Sequence, residues 1–114
     1  MKEDKNMFNI LFSSDIINMV CNDIVDNKTN REVNEMLVEE LSELIKAVIK
    51  LERWDMGEIT LRYNIDEIYN NLYEELGDVI IMILQFIYKN RINYNELIEK
   101  ISEKLIRYYE TKQE

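Results

Sequence analysis

No proline occurs in this 114-residue chain, and only two glycines do, Gly57 and Gly77. Chain reversals between β-strands draw heavily on those two residues, whereas long helices exclude both from their interiors. A chain this poor in turn formers, and rich in Leu, Ile, Glu and Lys, belongs to the all-α class. Its composition, 46% hydrophobic and 32% charged, suits one globular domain spanning residues 1–114, large enough for a core yet small enough to gain by burying more surface in an oligomer.

Start and stop signals divide the chain into four helical segments. Ser13, Ser14 and Asp15 offer N-caps for a first helix to about Val25, and "DNKTN" at Asp26 to Asn30 ends it. Thr29 and Glu32 stand in capping-box spacing at the head of a second helix that runs to about Trp54, with Gly57 as its stop. Asp66 is placed to cap a third helix to about Lys89, and Asn93 with Glu96 starts a fourth. Apolar residues spaced by threes and fours predict a core side of Val33, Leu37, Leu41, Leu44, Val48 and Leu51 on the second helix, and of Leu97, Ile101, Leu105 and Tyr108 on the fourth. The expected architecture is an antiparallel bundle of about four helices. Residues Val79 to Leu84 are apolar on every side, more than three other segments can cover, so the core is expected to be completed by assembly into a homodimer or tetramer.

Several functions are excluded by what the chain lacks. It contains no histidine, which removes the usual general base, the usual transition-metal ligand and any Cys-His pair with the single Cys21. A formal net charge of −9 argues against a nucleic-acid groove. The longest apolar run is too short to span a bilayer, and no signal peptide is apparent, so a cytoplasmic location is expected. Carboxylates remain as the chemically useful groups.

They are grouped. On a wheel of about 100° per residue, Glu40 falls at the edge of the apolar stripe of the second helix, with Glu39 and Glu43 beside it. Such crowding repels by a few tenths of a kcal/mol per pair unless something compensates. On the third helix, Glu75 and Asp78 stand i, i+3 at the entrance to the all-apolar run. If these helices lie side by side, Glu40, Glu43, Glu75 and Asp78 present four carboxylates to one space, and the compensating charge is a divalent cation. All-oxygen ligation favours Mg²⁺, with Mn²⁺ as a substitute; a di-iron carboxylate bundle would need histidines. The competing structural reading is a solvated acidic face paired with Lys46 or Lys50.

"EELSE" at Glu39 to Glu43 followed by "ELGD" at Glu75 to Asp78 resembles the EExxE and ExxD signature of the MazG-like all-α nucleoside triphosphate pyrophosphohydrolases, relatives of the dimeric dUTPases and of phosphoribosyl-ATP pyrophosphohydrolase. The resemblance covers about residues 31–108, and the gap from Glu43 to Glu75 is longer than is usual in that family. It implies Mg²⁺-dependent hydrolysis of a nucleoside triphosphate between the α and β phosphates, giving the monophosphate and pyrophosphate. It further implies that Lys104 and Arg107, in "EKLIRYY", face the phosphates, and it points the same way on assembly. Glu39 is the candidate to orient or deprotonate the attacking water. Trp54, on the Glu43 side of its helix, is the candidate surface for the base, with Tyr69, Tyr73 and Tyr88 as alternatives. Two other readings stay open: a non-catalytic acidic helical module that meets a basic partner, and a relative that keeps fold and metal but has lost turnover.

Overall fold

The computed structural model describes Ser13, Asp15, Ile16, Met19 and residues 24–57 and 64–113. Among these residues there are three long helices and no strand: α1, Asn30–Asp55; α2, Ile65–Lys89; and α3, Tyr94–Gln113. The helix expected over about 13–25 lies largely outside the described residues, although Ser13 Oγ does accept the Ile16 N–H at 3.4 Å. None of the described helices is long and apolar enough to cross a membrane.

Local chemistry accounts for the helix ends. Thr29 Oγ1 accepts the Glu32 N–H at 3.1 Å and Glu32 Oε2 accepts the Thr29 N–H at 3.4 Å, the capping box expected at the head of α1. Gly57, at φ 80, closes α1 in a left-handed conformation that a Cβ would strain. At the next start the sequence reading is corrected: Asn64, not Asp66, caps α2, its Oδ1 accepting the Glu67 N–H at 2.8 Å while its Nδ2 donates to Glu67 Oε1 at 2.9 Å. An ionised carboxylate, which only accepts, could not serve both contacts. Asp66 and Glu67 then fall in the first turn, where their charge complements the helix dipole. Asn93 Oδ1 accepts the Glu96 N–H at 3.1 Å at the start of α3, as anticipated.

The end of α2 carries stored strain. Arg91 adopts φ 55, its N–H donates to Tyr88 O at 3.1 Å, and the Ile92 N–H donates to Ile87 O at 2.9 Å. This is a Schellman stop with arginine where glycine is usual. Replacing Arg91 by glycine is expected to raise stability by up to about 1 kcal/mol, to be read from a denaturant midpoint at unchanged slope.

α1 and α2 form an antiparallel pair. On α1 the covered row is Val33, Leu37, Glu40, Leu44, Ala47, Leu51 and Trp54; on α2 it is Ile65, Ile68, Leu72, Glu75, Val79, Met82 and Phe86. Both rows step by threes and fours, as coiled-coil seams do. Val33 is fully buried, with Ala47 and Ile68 nearly so. At one end Val33, Met82 and Leu84 cluster with Val25, and Ile16, Met36, Leu37 and Phe86 pack around them.

This seam differs from the predicted core side. Leu41 and Val48, expected inside, are 39% and 46% exposed, together with Val38 and Ile45. The apolar arc of α1 is wider than one partner helix can cover, and α2 takes the half that contains Glu40. α2 likewise leaves Tyr69, Tyr73, Leu76, Ile80 and Ile83 exposed. In an antiparallel pair the helical wheel puts these two open rows on the same side, opposite the flank that carries Glu43 and Asp78. The inner side predicted for the last helix is corrected as well: Leu97 is half-buried, but Ile101, Leu105 and Tyr108 are exposed, because α3 does not pack along α1 or α2 of its own chain.

Candidate metal centre

Three of the four expected carboxylates converge. One oxygen each from Glu40, Glu75 and Asp78 lie within 4.8 Å of one another. Two features of the chain bring this about. Glu40 and Glu75 occupy matching positions in the facing seams, and Asp78, one helical turn beyond Glu75, leans in from the flank. Glu40 and Glu75 are half-buried and Asp78 is exposed, so the group lies at a groove with its floor in the helix interface and its rim in solvent.

The electrostatics of this groove are adverse for the bare protein. Burial, and then the charges of Asp78 and Glu75 with those of Glu39 and Glu43, push the Glu40 carboxyl above its ordinary value of 4.5. Glu75 Oε2 is buried and has no hydrogen-bond partner. A buried carboxylate oxygen without a donor carries an uncompensated desolvation cost, and Arg31–Glu35, Lys46–Glu43 and Lys100–Glu103, ion pairs among the described residues, involve none of the three acids. Three converging carboxylate oxygens, with a Glu75 oxygen that lacks a donor, fit a hard divalent cation of the Mg²⁺ or Mn²⁺ type, whose remaining positions water and substrate oxygens would fill.

A pH dependence follows. A carboxyl whose folded-state pKa is raised binds its proton more tightly in the folded protein than in the unfolded chain, so stability falls as pH rises through that interval. Without divalent cations the melting temperature is therefore expected to drop as pH climbs above about 4.5, and millimolar Mg²⁺ is expected to flatten that slope.

The remaining predicted residues stand elsewhere. Glu43 is outside the convergent group: its exposed carboxylate meets Lys46 Nζ at 3.5 Å, because the covered face of α1 centres on Glu40 and turns Glu43 to the flank. Glu39 is exposed. Trp54 is half-buried at the far end of the α1 seam, and its Nε1 is buried without a partner. Lys104 and Arg107 are exposed on α3, the helix that does not pack along α1 or α2 of its own chain. Of the alternative aromatic surfaces, Tyr69 and Tyr73 form a tilted pair with ring centroids 6.3 Å apart on the open apolar side. Two further residues also lie in or beside the seams. Ala47 keeps the α1 surface low one heptad from Glu40, and Gln85, 3% exposed, has an Oε1 with no partner. Of the two, the helical wheel already sets the small Ala47 on the arc of Glu40, whereas nothing in the sequence marks Gln85.

Comparison with known proteins supplies the family. No curated protein and no solved structure gives a match to this chain. The profile of the MazG nucleotide pyrophosphohydrolase domain, however, matches residues 28–111, from just before the capping box of α1 to the end of α3. A match over that much of the chain, with an acidic groove where its two carboxylate motifs meet, places this protein in the MazG nucleotide pyrophosphohydrolase domain family.

Proposed function

We propose that this protein hydrolyses a nucleoside triphosphate between the α and β phosphates, with Mg²⁺ or Mn²⁺ held by Glu40, Glu75 and Asp78. The observation that carries this reading is the convergence of those three side chains within 4.8 Å, with Glu75 Oε2 left without a donor, in a chain of the MazG family. A divalent cation there would polarise the phosphoryl oxygens, screen the polyphosphate from a protein of net charge −9 and make water a better nucleophile. The chain's own residues supply the rest. Glu39, exposed beside Glu40, orients a water and takes its proton as its oxygen attacks the α-phosphorus; the bond to the bridging oxygen breaks and pyrophosphate departs. Lys104 and Arg107, one helical turn apart on α3, would neutralise that leaving group. Glu43 is free to add a fourth carboxylate by exchanging its surface contact with Lys46, which is worth little to stability. Trp54 offers an aromatic face to the base.

The same reading makes the active unit a dimer or tetramer. Its support is the pair of open apolar rows on α1 and α2 and the exposed Ile98, Ile101, Leu105 and Ile106 of α3. The radius of gyration is 17.5 Å, against about 13 Å for a compact chain near this length. A second copy would cover these rows and would let α3 bring Lys104 and Arg107 to a groove.

The test is a screen of common and noncanonical nucleoside triphosphates that follows pyrophosphate and monophosphate release with Mg²⁺, with Mn²⁺ and with chelator. Cation-dependent pyrophosphate release is the expected result. Orthophosphate release, or no turnover on any nucleotide, would count against it. In the latter case melting decides between the two alternatives. A relative that kept the metal site is stabilised by millimolar Mg²⁺ beyond the effect of NaCl at equal ionic strength, and a merely acidic module is not.

A further inference from the structure

The groove poses a problem of register. Glu40 and Glu75 lie in seams whose other members are mostly apolar, and such seams can pair in more than one alignment, offset by a heptad. Sliding α2 by seven residues would set Glu40 against the layer of Ile68 or Met82 and separate the acids. In the bare protein the observed alignment is the one that like-charge repulsion opposes most, so something outside the groove has to select it.

Three asparagines at the far end of the pair are placed to do so. Asn90 Nδ2 donates to Asn34 Oδ1 at 3.0 Å and to Phe86 O at 3.1 Å. Asn30 Nδ2 faces Lys89 O at 3.3 Å and Asn90 Oδ1 at 3.4 Å. The first helical turns of α1 are thereby tied to the last turn of α2, and Asn90 is held in place by the Schellman stop that follows it. Unlike apolar contacts, these bonds have directional partners and cannot be remade after a shift of one heptad, about 10.5 Å. A single polar residue in an otherwise apolar helix pair is a known means of fixing alignment.

We propose that Asn30, Asn34 and Asn90 are positioning residues for the metal centre: they hold α1 and α2 in the register that brings Glu40 to Glu75 and Asp78. The proposal rests on the metal reading above for its consequence, but its structural half can be tested without any metal. Ala47 and Ile68 lie one heptad from Glu40 and Glu75 along the same rows, so cysteines there report the alignment. In a Cys21→Ala background carrying Ala47→Cys and Ile68→Cys, mild oxidation is expected to form an intrachain disulfide readily. Adding Asn90→Leu is expected to lower that yield severalfold, whereas Asn34→Asp, which keeps the oxygen that Asn90 donates to, preserves it. In the protein without the added cysteines, Asn90→Leu is expected to weaken Mn²⁺ binding about tenfold by calorimetry, and Asn34→Asp to stay near wild type. Val33→Ala is the control, because it loosens the same end of the pair without touching an asparagine; it should lower the melting temperature and leave both the trapping yield and Mn²⁺ affinity in place. An undiminished disulfide yield in the Asn90→Leu protein, or an equal loss in Val33→Ala, overturns the proposal. Failure of the wild type to bind Mn²⁺ sinks the metal reading instead, and the trapping result still decides the role of the asparagines.

Discussion

Replacing Asp78 by asparagine is expected to lower pyrophosphate release by more than about a hundredfold while leaving α1 and α2 folded. The size follows from what the side chain would do. Changing a group that merely orients a metal ligand costs about 10- to 100-fold in affinity or activity, and Asp78 contributes one of the three converging oxygens itself. The fold should survive because Asp78 is exposed on the flank of the seam and fills no core space. A second measurement separates a lost ligand from general damage. Asp78 is the first of the neighbouring charges that hold the Glu40 carboxyl above its ordinary value, so the metal-free variant should melt at or above the wild-type temperature. The rise that Mg²⁺ produces in the wild type should be lost. A variant with normal turnover, or one that keeps the full Mg²⁺-dependent rise, would remove Asp78 from the centre.

The other large effect is expected at the open apolar side. Ile80 and Ile83 are 41% and 40% exposed, in a row with Tyr73 and Leu76, and they face away from the carboxylate groove. Introducing a charge there by Ile80→Asp or Ile83→Asp should cost little within one chain. Buried in a contact between copies, the same carboxylate would cost several kcal/mol. Sedimentation equilibrium is therefore expected to show wild-type dimers or tetramers at micromolar concentration and dissociated or unfolded chains for either variant, with activity lost in step. Ile81→Asp, at 45% exposure on the neighbouring arc of α2, should weaken the assembly less if the row through Ile80 and Ile83 forms the centre of the contact. A wild-type monomer with full activity would refute this account of the open rows.

Some features of this protein were decided within a few residues of sequence. The capping box of Thr29 and Glu32, the glycine stop at Gly57 and the asparagine cap before α3 involve partners no more than four residues apart, so local chemistry determines them. The helical class is equally local, since it needs only the absence of turn formers and apolar spacing by threes and fours. The two carboxylate motifs were legible for the same reason: i, i+3 spacing puts Glu75 and Asp78 on one side of any helix. What the sequence left open was which part of a wide apolar arc a partner would cover. Val33, Leu37, Leu41, Leu44, Val48 and Leu51 look alike by periodicity, and helix propensity does not distinguish one half of the arc from the other. Only the packing of α2 does. By covering the half centred on Glu40, it moved that residue from the edge of the stripe to its middle, left Leu41 and Val48 exposed and turned Glu43 outward. The cap of α2 at Asn64 was likewise a choice between nearby polar residues, settled by which side chain could both accept and donate. The distance between Glu40 and Glu75 depends on the register of two helices joined through a long connection, and register is a property of the pair: no periodicity within either helix contains it.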